Sequence, residues 1–158
     1  MKTLIATGLA LALPAAAFAH DYTLGDLEII HPMIFETAAS AKAGGGYLTI
    51  ANDGKTDDAL IGVAADFPGV MLHESYEEDG VMRMRHLDRL TVPADGIVEL
   101  APGGYHVMFM GLGEPLEAGD EVPAVLTFEK AGEIEVDFKV VERGGVMDHG
   151  GMTHSGHD

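Results

Sequence analysis

From Glu133 to Val140 every second residue is apolar: Ile134, Val136, Phe138 and Val140 alternate with Glu133, Glu135, Asp137 and Lys139. A period of two sends one set of side chains into a core and the other into water, which is the geometry of a half-buried β-strand. Glu121 to Glu129 repeats the pattern through Val122, Ala124, Leu126 and Phe128. Shorter runs of the same character are Leu27 to Ile30, Tyr47 to Ala51, Ala59 to Ala64, Val70 to Glu74, Val81 to His86, Ile97 to Leu100 and His106 to Met110. Turn chemistry separates them, at Asn52-Asp53-Gly54, Pro93-Ala94-Asp95-Gly96, Pro102-Gly103-Gly104 and Gly111 to Gly113. No segment of the mature chain keeps a helical period for more than about two turns. Eight or nine strands at this spacing predict one all-β domain, a β-sandwich or a barrel, with no internal repeat and no linker.

Both ends depart from the pattern. Residues 1–19 begin with Lys2, run through apolar Leu4 to Leu13, break at Pro14 and finish in Ala17-Phe18-Ala19, which predicts a cleavable signal peptide and a periplasmic product. The apolar run is shorter than the roughly 20 residues that cross a bilayer, and no cysteine follows it to carry a lipid, so no membrane anchor is expected. The folded domain is expected to span residues 20–143. Residues 144–158 hold five Gly, three His and two Met, a composition that predicts a flexible His/Met-rich tail outside the core.

Loss of the signal leaves 139 of 158 residues, with 8 basic against 26 acidic side chains, a balance near −18. Such a chain has nothing with which to neutralise phosphates, so nucleic acid is excluded as a partner. Its negative field raises the local concentration of cations.

Four side chains suit one particular cation. His73, Met84, His106 and Met108 are separated by ten, twenty-one and one residues, in a chain with no cysteine. Thioethers are poor ligands for hard ions and for Zn²⁺ but suit Cu(I), and imidazole accepts copper in either oxidation state. Outside the cytoplasm a thiol pair tends to oxidise, whereas a thioether stays a ligand unless driven to the sulfoxide. His106 and Met108 lie two apart on one strand, so both leave the same face about 7 Å apart. Met82, Met84 and His86 share a face of the preceding run. His73 is expected to close the strand before that, with the acidic stretch from Glu74 to Gly80 as the connecting turn. Three segments then converge.

The run from Val70 to Leu112, VMLHESYEEDGVMRMRHLDRLTVPADGIVELAPGGYHVMFMGL, resembles the signature region of the periplasmic copper chaperones of the PCu(A)C type. Their motif is His, ten residues, Met, twenty-one residues, His-x-Met, and His73, Met84, His106 and Met108 match it without insertion or deletion. The similarity continues through Tyr47 to Asn52, Leu60-Ile61-Gly62, Pro115-Leu116, Gly119-Asp120 and the Phe128 to Val140 strands. Met33 departs from it, standing where an aromatic is expected. The resemblance implies a cupredoxin-like, Greek-key β-sandwich, and Cu(I) held by those four side chains near the surface. It also implies delivery to an acceptor such as the Cu(A) subunit of a haem-copper oxidase or another copper carrier. His86 has no part in the motif and reads as a surface residue; Met71, Met82 and Met110 read as core residues or neighbours of the site.

Candidate auxiliary copper positions lie elsewhere, beside the alternative that these ends carry no metal. His20 would become the N-terminal residue on cleavage, able to chelate Cu(II) through amine and ring. Met147, His149, Met152, His154 and His157 resemble the His- and Met-rich extensions of some family members, and their imidazoles favour Cu(II). No reaction on a substrate is expected: an electron-transfer cupredoxin needs a Cys ligand, and no nucleophile-His-acid order or His-Glu-x-x-His motif is present. Carriage and delivery of copper is the reading that results, with a periplasmic copper buffer or resistance protein as its alternative. Since neutral imidazoles coordinate and thioethers do not titrate, Cu(I) affinity is expected to weaken as pH falls through about 6.5.

Overall fold

The computed structural model describes residues 21–144. Eleven strands make up the domain: β1 Tyr22–Leu24, β2 Leu27–Phe35, β3 Ala43–Asn52, β4 Asp58–Ala65, β5 Gly69–Glu78, β6 Val81–Leu87, β7 Leu90–Val92, β8 Gly96–Leu100, β9 Tyr105–Met110, β10 Glu121–Phe128 and β11 Gly132–Val141. Their hydrogen-bonded order is β6-β5-β9-β8-β3-β2-β11-β10-β4-β7, with β1 on β2 and a second pairing of β9 with β3. The sheet curls into a nearly closed sandwich around Ile29, Ile34, Ile50, Leu60, Val92, Val107, Phe109, Leu126 and Phe138, all fully buried.

The alternation read from the sequence is the physical cause of this architecture. β10 and β11 pair antiparallel with Val122 opposite Phe138, Ala124 opposite Val136 and Leu126 opposite Ile134, so the apolar sets of both strands face one core. All nine expected strands form. The two that were not expected, β1 and β7, are three residues long, too short to display a period. β2 outruns its expected end at Ile30. His31 takes a positive φ of 50° and Pro32 offers no N–H, and the register on β3 slips at that point before pairing resumes at Met33 and Tyr47.

One expectation about the connections is overturned. Glu74 to Gly80 is not a turn, and His73 does not close a strand: β5 continues to Glu78, and Glu77 and Glu78 pair with Met82 and Val81. The turn is Asp79-Gly80 alone, with φ of 53° and 76°, the positive pair that a tight two-residue hairpin demands. Acidic residues that looked like loop are paired strand because Arg83 and Arg85 stand on the facing strand, bound to Glu78 at 2.6 Å and Glu74 at 2.5 Å.

Asp58 closes the far end of the sandwich. Its carboxylate accepts the N–H groups of Ala59 (2.7 Å), Lys130 (2.9 Å) and Ala131 (2.9 Å). Burial by itself raises its pKa, but these three donors and the charge of Lys130 outweigh it and hold the carboxyl below its ordinary range. A depressed folded-state pKa stabilises above the unfolded value and is lost as pH falls through the folded one, so this contribution disappears only in acid. Asp58→Ala is expected to lower unfolding free energy by about 1–3 kcal/mol, the cost of stranding buried donors. Urea denaturation at neutral pH checks it, and an unchanged midpoint refutes it.

Candidate metal centre

β5 lies between β6 and β9, and the register of these three strands decides which side chains meet. His73 is opposite His86 on one side and His106 on the other; Ser75 is opposite Met84, and Met71 opposite Met108. Cross-strand partners share a face, so Met71, His73, Met84, His86, His106 and Met108 all project from the same side. That side is the outer one, because Leu72, Val107 and Phe109, which alternate with them, are buried in the core.

The reverse face of the hairpin is held by charge. Arg85 binds Glu74 and lies over the Tyr76 ring, 5.3 Å from its centroid. Such pairs contribute little energy singly, and here they support the register that sets Met84 diagonal to His73.

His73 Nδ1 and Met84 Sδ are 3.2 Å apart. Bond lengths of roughly 2.0–2.3 Å to a first-row ion put two donors of a common ion about 3–3.6 Å from each other, so this pair already has a chelating separation. The His106 ring stands edge-on to His73 with centroids 5.8 Å apart. His106 Nδ1–H donates to the Gly104 carbonyl at 3.1 Å, and the same carbonyl accepts the Ser75 N–H at 2.9 Å. In the neutral ring that bond puts the hydrogen on Nδ1 and the lone pair on Nε2. Met108 follows two residues along β9, on the same face and partly buried. Burial first, then the neighbouring His106 and His86, hold the pKa of His73 below the ordinary histidine range, which favours the neutral ring.

Exposure grades across the group. His106 is buried at 5 %, whereas Met84 is 51 % exposed on β6, the terminal strand of the sheet. Among the described residues no three His, Cys, Asp or Glu side chains converge on a single metal position. The donors that adjoin the imidazoles on this face are the thioethers of Met84 and Met108, a soft set.

The structure adds to the sequence reading of several side chains. His86, read as a plain surface residue, is exposed and hydrogen-bonds Asp88 at 3.1 Å, yet its ring stands 6.0 Å from that of His73. Met82 is exposed, and Met71 is 40 % exposed on the outer face, so neither is core. The register supplies the signal that sequence spacing lacked, since neighbours across strands cannot be counted along one strand. His20 and the tail residues Met147, His149, Met152, His154 and His157 lie outside the described residues.

Residues 27–140 match the family model LpqE-like, described as "Putative lipoprotein LpqE-like". The chain belongs to the LpqE-like family. A relative, "Putative lipoprotein Lxx21020" of Leifsonia xyli subsp. xyli (strain CTCB07), is 29% identical over 150 residues, covering 90% of this chain and 86% of its own. Among solved structures, the copper-bound PCuAC domain from PmoF2 is 30% identical with a TM-score of 0.66, covering 78% of this chain and 98% of its own. The Cu(I) form of DR1885 from Deinococcus radiodurans is 27% identical with a TM-score of 0.57, covering 82% and 87%. The LpqE-like chain thus has the cupredoxin-like fold of PCuAC domains, as its resemblance to that family implied.

Proposed function

We propose that this LpqE-like protein is an extracytoplasmic copper carrier that holds Cu(I) through His73, Met84, His106 and Met108 and passes it to an acceptor protein. The observation that carries the reading is the 3.2 Å approach of His73 Nδ1 to Met84 Sδ, on a face where His106 adjoins His73. Structural relatives that include a copper-bound and a Cu(I)-bound PCuAC protein support the choice of metal. The lipoprotein relative and the signal-like residues 1–19 support a location outside the cytoplasm.

Copper is cargo here and leaves as it arrived. Two imidazoles and two thioethers hold Cu(I) without the charge of a thiolate, so an acceptor offering thiolates has the stronger pull. The half-exposed Met84 on the terminal strand suits transfer, because an incoming ligand can occupy its place as it swings away. An oxidase Cu(A) subunit or a second copper carrier has the required chemistry. Mixing the anaerobically loaded protein with an apo dithiolate acceptor domain is expected to move the copper within the mixing period. Retention of the copper against such an acceptor would favour the buffer or resistance reading.

Coordination requires neutral imidazole, so acid competes with copper for both rings. Because His73 is held below the ordinary histidine value, its share of the loss comes at lower pH than an unperturbed ring would give. Cu(I) affinity is therefore expected to decline below about 6.5, the free histidine value. Competition titrations between pH 7.5 and 4.5 read this directly. A flat profile removes the imidazoles from the site.

A further inference from the structure

The outer face carries more soft donors than the proposed site uses. Met71 and Met108 are directly opposed across β5 and β9, and Gly69 is opposite Met110. Gly69 has no side chain, and the Met110 methyl carbon lies over it, 2.9 Å from where a Cβ would stand. The Met110 side chain therefore reaches across onto β5, on the face that Met71 occupies two residues further on. Direct cross-strand partners have Cβ atoms about 4.5–5.5 Å apart and diagonal ones about 7–8 Å, within the combined reach of two thioether stems. Met71 is 40 % exposed, while Met108 and Met110 are partly buried.

We propose that Met71, Met108 and Met110 form a second, thioether-only Cu(I) position, next to the histidine-containing one and sharing Met108 with it. The proposal rests on the copper reading above and extends it. Three thioethers and no imidazole make a soft donor set that selects Cu(I) over Cu(II), Zn²⁺ and harder ions. Since Met108 belongs to both positions, the ion can pass between them by exchanging His73, His106 and Met84 for Met71 and Met110, remaining Cu(I) and bound to Met108 throughout. A carrier with two adjoining positions can begin to receive or surrender its cargo before the tighter set has opened.

The test is methyl NMR of the full mature chain labelled at the methionine methyls, titrated anaerobically with Cu(I). In the unsubstituted protein the first equivalent is expected to shift Met84 and Met108 most, and Met71 and Met110 together by a smaller amount as the ion passes between the two positions. In a His73→Ala, His106→Ala variant, Met71, Met108 and Met110 are expected to shift as a group with one saturation curve while Met84 stays in place. Adding Met71→Leu should then abolish most of the Met110 response. Met71 and Met110 methyls that do not move at Cu(I) excess, in either protein, overturn the second position. A Met110 response undiminished by Met71→Leu overturns it equally. Failure of the underlying reading looks different: the first equivalent would leave Met84 unmoved in the unsubstituted chain.

Discussion

A Met84→Ala, His106→Ala double variant is expected to bind Cu(I) more than about 100-fold more weakly than the parent. Loss of a group that merely orients a ligand typically costs 10–100-fold in metal affinity, so removing two ligands outright sets that range as a lower bound. The two positions differ in what else they do. Met84 is half exposed, and its truncation leaves the core untouched. His106 is buried and donates to Gly104, so its loss opens a small gap and frees one acceptor of the loop that also receives the Ser75 N–H. The fold is expected to survive, which thermal unfolding of the apo variant verifies. The measurement is an anaerobic competition titration against a Cu(I) chelator of matched affinity. Tight binding that persists in a folded double variant would place the copper elsewhere on the molecule.

The second large effect concerns the floor of the same sheet. Phe109 is fully buried between His106-Met108 and Met110 along β9, with its ring edge-on to Phe67 at 5.5 Å and to Phe138 at 5.4 Å. Phe109→Ala deletes the side chain on which β9 rests and should cost about 3–5 kcal/mol, a large part of the 5–15 kcal/mol that typically holds a domain. Gly46 approaches the same rings: a Cβ there would stand 2.6 Å from the Phe109 ring and 3.1 Å from that of Phe138. Neither ring can yield, since both are enclosed, so Gly46→Ala is strained and Phe109→Ala hollow. Urea denaturation of the apo protein reads the loss as a lower midpoint with an unchanged slope. A shift below about 1 kcal/mol would mean that the neighbouring rings collapse into the space.

Much of the fold was legible because alternation is a direct projection of burial. Val122, Ala124, Leu126 and Phe128 announce their face in order, and the structure buries every one of them. β7 escaped notice because Leu90 and Val92 give only two apolar positions around Thr91, which no period can be read from. The hairpin was misjudged for another reason. A run of Glu74, Glu77, Glu78 and Asp79 reads as solvated loop when taken alone, and its arginine partners become visible only when the strands are laid side by side.

For the candidate site, the donor types and their order along the chain could be read from the letters, but not their neighbours. His86 beside His73 follows from the register of the β5–β6 hairpin, and Met71 beside Met108 from antiparallel pairing between β5 and β9, which are far apart in sequence. One hint was present: the two-residue step from His106 to Met108 continues to Met110, and strand periodicity puts all three on a single face.

The two-residue corner at Asp79-Gly80 turns the ten-residue interval between His73 and Met84 into a ruler. With the corner fixed, each residue of β6 has only one opposite number on β5, and the parity of the count chooses the side from which the sulfur emerges. Deleting one residue of β6 ahead of Met84 would aim the thioether at the arginine side and present a guanidinium to the histidine side instead. Spacing in such a motif is thus a measure of hairpin length, and an evolving or engineered variant can lengthen that arm only in steps that keep the sulfur on the side of the histidines.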